Sequence, residues 1–386
     1  MSTLGVGIIG CGNISTIYHQ NMTSFHGLKL IACADMRAEA AEAQAKAFGI
    51  EALSIEALLA RPDIQIVVNL TTPNAHFPVS LAALKAGKHV FGEKPITVEA
   101  TEAAILVAEA EKRGLKIGCA PDTFLGGGGQ TARELVDSGA VGTILSGTCH
   151  LMSHGMEHWH PDPTFFFKPG GGPILDMAPY YLAALINLIG PVESVQARAS
   201  TGFAERIVTA AGPMTGKAIK VETPTTVMAL LHFASGADIQ FTMSWDVWKH
   251  SHPAIELYGT KGSLRVPDPN FFGGTVEYTE ASGDWIAVDT ETRAFGRANW
   301  RSPNWAPTQP SRANYRCLGI AELASSVLHG TPQRASGALA SHALEAMQAM
   351  LTAAQTGETL RLTSRIDRPA PLTPAEAAAL WAGPAF

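Results

Sequence analysis

Leu4–Ser15, LGVGIIGCGNIS, and Leu28–Arg37, LKLIACADMR, decide the fold of this chain. Gly5 to Ile9 alternate small and apolar residues, as a fully buried parallel strand does. Gly10-Cys11-Gly12-Asn13-Ile14-Ser15 is a tight turn that leads into a helix over 16–25, and a second apolar strand, 28–34, ends on Asp35. Strand, glycine turn, helix, strand and acid in this order predict a dinucleotide-binding unit. Gly10 permits the turn. Gly12 lets backbone amides, with those of Asn13 and Ile14, approach a pyrophosphate, and the helix N-terminus adds its partial positive charge. The third glycine of G-x-G-x-x-G is Ser15 here, small enough for close helix–strand packing. Asp35 is placed to accept hydrogen bonds from a ribose 2′-hydroxyl, with Met36 and Arg37 beside it. A carboxylate there repels a 2′-phosphate, so NAD is expected, although Arg37 keeps NADP open.

Outward from that unit, 386 residues exceed one typical core, so two domains are expected. Apolar residues make up 46% and charged residues 16%, with 28 basic against 34 acidic side chains. The net charge of −6 without a basic run gives nucleic acid and membrane surfaces no electrostatic footprint. Cysteines 11, 33, 119, 149 and 317 are scattered, odd in number and without C-x-x-C. They read as buried thiols of a reducing compartment, and with no signal peptide or apolar run of 18 residues the expected location is cytoplasmic.

The β-α alternation continues. An alanine-rich helix over 37–48 stops at Gly49, and Ser54 caps a short helix ending at Pro62. Residues 64–70 form a third buried strand, which empties into Thr71-Thr72-Pro73-Asn74-Ala75-His76, a polar loop at a strand's C-terminal end. Ligands of open α/β sheets sit there, so Thr71, Thr72, Asn74 and His76 are cofactor candidates. A strand over 88–91 runs into Gly92-Glu93-Lys94-Pro95; Thr97 caps a helix over 98–113, and 115–120 is another strand. Residues 1–121 are read as one doubly wound Rossmann domain.

Past Pro121 the pattern changes. Residues 121–129 read as a glycine-rich hinge and 130–138 as a helix; 144–152 is a strand, 153–173 a long loop, and 173–189 a helix. From Val192 the period is two, with strands near 225–233, 237–245, 254–258, 263–266, 275–279 and 285–288. This predicts a second α/β domain, 122–365, on a large, mostly antiparallel open sheet. A loop over 291–312 carries Arg293, Arg297, Trp300, Arg301, Asn304 and Trp305, free to touch substrate or another subunit. Helices near 313–329 and 337–356 follow, and residues 366–386 form a strap over the surface. The open sheet suggests a homodimer or homotetramer.

Two segments carry chemistry. Lys94 leaves the C-terminal end of a parallel strand on the same rim as the glycine turn, where an amine can hold a substrate hydroxyl and share its proton. Glu93 is placed to orient it or the cofactor ribose, and Pro95 is a candidate cis peptide. In GGGPILDMAPYY, residues 170–181, Asp176 and Tyr180 are i and i+4 and face one way, while Pro179 bends the helix or marks its first turn. A phenol paired with a carboxylate can give a proton to an alkoxide or take one from an alcohol. Between them, His158, Trp159, His160 and Asp162 offer polar groups and a flat ring face to a cleft, and Asp122 follows the last Rossmann strand at that cleft. His154, Glu157, His158 and His160 are metal-ligand types, but their spacing fits no usual zinc pattern, so no metal is expected.

On GIIGCGNIS with Asp35, the Thr71–His76 loop, Glu93-Lys94-Pro95 and GGGPILDMAPYY, the chain resembles the Gfo/Idh/MocA family (glucose–fructose oxidoreductase, inositol dehydrogenase, rhizopine catabolism) along nearly its whole length. The resemblance implies a Rossmann domain plus an open-sheet α/β domain, NAD or NADP as cofactor, and a sugar, cyclitol or glycoside carbon as the reacting centre. Lys94 then matches the family's catalytic lysine and Asp176 its active-site aspartate. Inositol-dehydrogenase-like members have His where this chain has Tyr180, an Asp where it has Ala183, and glycine where it has Ala178. Tyr180 thereby becomes the acid/base candidate, and it needs Lys94 and the cofactor to lower its pKa for base chemistry. The expected activity is NAD(P)-dependent oxidation or reduction of a secondary alcohol. The alternatives are an NAD-dependent glycosidase that oxidises C3 transiently, and a non-catalytic sugar or nucleotide sensor.

Overall fold

The structure, a computed structural model, describes residues 2–301 and 308–383. Asn304 and Trp305 of the 291–312 loop lie outside the described residues. The chain opens as β1 (Leu4–Ile9), α1 (Ser15–Met22), β2 (Leu28–Ala34), α2 (Ala38–Phe48), β3 (Glu51–Leu53), α3 (Ile55–Ala60) and β4 (Ile66–Asn69). It continues as α4 (Pro73–Lys85), β5 (His89–Gly92), α5 (Ala100–Lys112) and β6 (Ile117–Cys119). All six strands are parallel, in the order β3-β2-β1-β4-β5-β6. Such a sheet is covered on both faces, which is why β4 is buried at every residue and reads as an unbroken apolar run. The order reverses direction at β1/β4, the point where such sheets bind ligands beyond their carboxyl ends. The edge strand β3 has no periodic signal and escapes sequence reading.

Two local expectations change here. Thr97 does not cap a helix: α5 starts after Glu99, and the Thr97 hydroxyl donates to the Glu99 carbonyl instead. The glycine-rich segment after Pro121 is no hinge. Residues 123–125 make a single 3-10 turn, and Gly127–Gly129 are the first turn of α6 (Gly127–Asp137). A side chain at Gly126 would stand 2.2 Å from the Phe272 carbonyl oxygen, and one at Gly129 2.3 Å from that of Phe124. Those glycines serve close packing, not bending.

The second sheet is built from β7 (Ile144–Met152), β8 (Val192–Ser200), β11 (Thr226–Phe233), β12 (Asp238–Ser244), β13 (Ile255–Gly259), β14 (Gly262–Val266), β15 (Val276–Glu280), β16 (Ile286–Val288) and β17 (Leu360–Arg361). A separate hairpin of β9 (Glu205–Ile207) and β10 (Ala218–Lys220) stands apart from it. The nine strands run β16-β15-β14-β13-β7-β12-β11-β8-β17, antiparallel except for the β7–β12 pair. On β11 the inner face is Val227, Ala229, Leu231 and Phe233, while Met228 and Leu230 point outward and are exposed.

Against the inner face lies α7 (Gly172–Ile189), which also touches α6 and the later α9 (Gly337–Thr356). It is long and apolar enough to cross a membrane, but 89% of it is buried in the fold, so its apolar surface is spent on packing. The chain then returns to the first sheet: α8 (Leu318–His329) packs on β5 and β6, and α9 on α5 and β6. Finally α10 (Pro374–Leu380), closed by a Thr373/Glu376 capping box, packs on α8, and Trp381 meets Phe25 edge-on. The first sheet and α7 thus share neighbours, which fixes the rim of one against the face of the other.

Candidate active site

The glycine turn is set by backbone chemistry. Gly10 has φ +105°, and a side chain there would stand 2.5 Å from the Leu70 carbonyl carbon, so only glycine fits. At Gly12 a side chain would meet nothing within 4 Å: the position faces open space in front of the α1 N-terminus. Ser15 replaces the third glycine without strain, its hydroxyl donating to the Gly12 carbonyl at 2.7 Å. Asp35 ties turn to strand, accepting from the Cys11 amide at 2.8 Å and the Arg37 amide at 2.9 Å. Each carboxylate oxygen keeps lone-pair capacity for ribose hydroxyls. Met36 and the Arg37 side chain are exposed beside it.

Across β4, Asn69 holds the next piece of rim. Fully buried, it donates to the His76 carbonyl and the Ser80 hydroxyl and accepts from the amide and hydroxyl of Thr71. Thr72 and Asn74 remain exposed at the start of α4. His76 is spoken for: its ring nitrogens face the carbonyls of Pro95, at 2.6 Å, and Thr71, at 3.0 Å. Burial lowers its pKa, with the two carbonyls opposing.

Glu93 and Lys94 leave the end of β5, and the Lys94–Pro95 peptide is cis. Glu93 accepts from the Tyr18 hydroxyl at 2.7 Å and from the Lys94 amide at 3.0 Å, which orients the lysine. The Lys94 ammonium crosses to α7. It donates to the Asp176 carboxylate at 2.7 Å and to the Asp176 carbonyl at 2.6 Å, and lies 5.4 Å from the centre of the Tyr180 ring. Burial pulls its pKa down, but Asp176, Tyr180 and Glu93 push harder, so the net shift is upward and the amine stays charged. For Tyr180, burial raises the pKa; the cations of Lys94 and Arg316 oppose it without cancelling it. The phenol is therefore neutral, contrary to the lowering that base chemistry requires. Its hydroxyl has no hydrogen-bond partner among the described residues.

A cavity of about 320 Å³ joins these groups. Ile14, Thr71, Pro73, His76, Glu93, Lys94 and Pro95 form one wall; Phe165, Phe166, Gly170, Leu175, Asp176 and Tyr180 form the other. Residues 4–120 match an oxidoreductase family with an NAD-binding Rossmann fold, and residues 130–265 match the GFO/IDH/MocA C-terminal domain. The chain belongs to the Gfo/Idh/MocA oxidoreductase family. Among curated relatives it is 27% identical to myo-inositol 2-dehydrogenase of Thermotoga maritima, over 72% of this chain and 79% of that one. It is 30% identical to dTDP-3,4-didehydro-2,6-dideoxy-alpha-D-glucose 3-reductase of Streptomyces violaceoruber, over 68% and 72%. The solved structure of levoglucosan dehydrogenase in complex with NADH superposes with a TM-score of 0.78 at 21% identity, covering 94% of this chain and all of that one.

Within this family frame, several residues singled out from the sequence fall elsewhere. His158, Trp159 and His160 do not line the cavity; His158 and Trp159 point to solvent, and the facing positions are taken by Phe165 and Phe166. Met156 and Phe167 of this loop are buried instead in a small separate core with Val208, Ala210, Ile219, Val221 and Trp245. Glu157 joins it, pairing with Arg206, which also pairs with Asp246. Asp122 stands behind the wall, 1% exposed, accepting from the Gly319 amide at 2.8 Å. Of the 291–312 loop, Arg293 pairs with Glu134, the Tyr315 hydroxyl donates to the Arg297 carbonyl, and none of its described residues lines the cavity.

Sequence reading missed Tyr18, Asn69, Arg316 and the two phenylalanines. Tyr18 and Asn69 sit where a helix interior and a buried strand look like ordinary core. The Arg316 guanidinium stays charged because Tyr180, Tyr18, Glu93 and Asp122 surround it and outweigh burial. It is presented by Cys317, whose φ of +88° breaks the chain direction before α8. Nothing in the local sequence marks it.

Proposed function

We propose that this chain oxidises or reduces a secondary alcohol of a carbohydrate-like ring, with NAD as hydride partner. The observation that carries the reading is the Lys94 ammonium, 2.7 Å from the Asp176 carboxylate and 5.4 Å from the Tyr180 ring, on a cavity whose other wall continues the nucleotide rim. The family names of the relatives, sugar and cyclitol dehydrogenases and reductases, support the substrate class.

The rim fits the cofactor. The open space at Gly12, the uncapped α1 N-terminus and the Asp35 carboxylate suit a pyrophosphate and a ribose, with Asn13, Ile14, Thr71, Thr72, Asn74 and Glu93 beside them. Asp35 favours NAD over NADP through charge and hydrogen bonding. When bound, the nicotinamide supplies the hydride acceptor or donor.

The chain's own groups handle the proton. Lys94 uses two of its N–H bonds on Asp176 and keeps the third for a substrate oxygen, held as a cation that stabilises negative charge there. Asp176 fixes the lysine's position and accepts from a second substrate hydroxyl. Tyr180, neutral and unpartnered, gives its proton to a carbonyl oxygen in reduction; in oxidation it first loses that proton to water, and the phenolate then takes the proton of the substrate hydroxyl.

The test is a panel of polyols, aldoses and glycosides with NAD and with NADP, followed by absorbance of the reduced nicotinamide. Stoichiometric NADH from at least one carbohydrate substrate is the expected result, with NAD preferred. Aglycone release without NADH accumulation would point to the glycosidase chemistry. No turnover and no nucleotide binding would overturn the reading.

A further inference from the structure

The polar capacity of the cavity is concentrated at one end. His76 has both nitrogens against backbone carbonyls, Glu93 is held by Tyr18 and the Lys94 amide, and the Thr71 hydroxyl donates to Asn69 at 2.6 Å. Among the described lining side chains, that leaves Lys94 and Tyr180 with free donors, and Asp176 with the remaining lone pairs of Glu93 as acceptors. Together they can satisfy the reacting hydroxyl and one neighbour.

The second-wall residues beyond them are Phe165, Phe166, Gly170 and Leu175, whose side chains carry no donor or acceptor. Phe165 leaves 43% of its surface exposed at the mouth. Its ring meets that of Phe166 at 5.7 Å and 66°, forming a two-sided aromatic corner. That corner is anchored. Phe166 and Phe167 both pack edge-on against buried Trp245, at 6.0 and 5.8 Å. Arg206, 3% exposed, locks the loop beneath through Glu157 and Asp246.

A fully hydroxylated sugar or cyclitol pushed against this corner strands hydroxyls that had been paired with water, which binding penalises. An aromatic substituent in the same place loses no hydrogen bond and gains edge or offset ring contacts. We infer that the preferred substrate is a glycoside whose aryl group lies in the corner of Phe165 and Phe166 while its sugar hydroxyls meet Lys94, Asp176 and Tyr180. For turnover this rests on the dehydrogenase reading; for binding it does not.

The full-length protein, saturated with NADH, is titrated with phenyl α- and β-D-glycosides of glucose, galactose and mannose and with the three parent aldoses, read by nicotinamide fluorescence. NADH formation from NAD is followed on the same panel. The best phenyl glycoside is expected to bind at least tenfold tighter than its own parent sugar. Phe165→Ala brings that ratio within about threefold of one, and Phe165→Tyr restores most of it. Parent sugars binding as tightly as glycosides, a ratio that survives Phe165→Ala, or no binding of either class would overturn the inference. Preferential binding of the glycoside without NADH formation would uphold the aryl corner and count against the dehydrogenase reading.

Discussion

The two walls of the cavity are held in opposite ways. The rim of the parallel sheet is fixed by contacts among its own strand ends and turns: Gly10 at φ +105°, the Cys11 amide on Asp35, and the Asn69 side chain on the Thr71–His76 loop. The loop over 153–171 has little regular structure and is fixed by side chains reaching from far along the chain, Arg206, Trp245 and Asp246 above all. A wall held by its own strand ends suits a ligand that never changes, the dinucleotide. A side-chain-held wall can be rebuilt by a few substitutions while the rim stays put, which makes it the place where substrate choice resides.

The largest effect expected on either side is at Lys94, where the walls meet. Lys94→Ala should lower kcat by about 10³-fold, within the range for loss of a proton-handling group. NADH affinity, read by fluorescence, should stay within about threefold. Retained turnover would remove the lysine from the chemistry.

Next is Arg206→Ala, which leaves Glu157 and Asp246 buried without their cation. The loss should approach about 3 kcal/mol by the cost of breaking a buried ion pair, seen as a lowered thermal midpoint. Discrimination among sugar ligands should suffer more than NADH binding. Equal damage to both would show that the walls are not independently held.

Asp122→Asn probes the rim's own electrostatics. Burial pushes the Asp122 carboxyl up from 3.8 to about 6, against the Gly319 amide and Arg316. The folded state holds this proton more tightly than the unfolded one. Its stabilisation is thus complete below pH 3.8 and is lost as pH rises through about 6, amounting to as much as about 3 kcal/mol. Asparagine has no such slope. Between pH 4.5 and 7.5 the variant's thermal midpoint should therefore rise relative to wild type, and a constant difference would refute the assignment.

The smallest effect separates the two glycines. Gly12→Ala should leave the thermal midpoint unchanged and weaken NADH about tenfold, since the added methyl enters only ligand space. Gly10→Ala should instead destabilise the fold, through its positive φ and the clash with Leu70. Matching behaviour of the pair would mean that neither faces the nucleotide.

The same contrast explains what could be read in advance. Gly10, Gly12, Ser15 and Asp35 belong to one short unit whose geometry is local, and the i, i+4 spacing of Asp176 and Tyr180 is a property of any helix. Lys94 follows from its place at a strand's end. The orientation of Trp159 against Phe165 is different, because it depends on a core assembled with Val208, Ile219 and Trp245, and no period in 153–171 encodes that partnership. Gly126 and Gly127 misled for a related reason: their smallness answers Phe272 and Gly296, residues invisible from the segment itself. Arg316 reaches the site from behind, through a turn at Cys317 that carries no motif.

Whether the two walls act as one site is tested most directly by a double-mutant cycle on kcat/KM with Lys94→Met and Asp176→Asn, scored on the best carbohydrate substrate. The carboxylate acts largely through the lysine it touches at 2.7 Å, so the double variant should fall well short of the product of the two single losses, within about tenfold of the slower single one. Losses that multiply would show two groups working separately, and the joint site described here would be wrong.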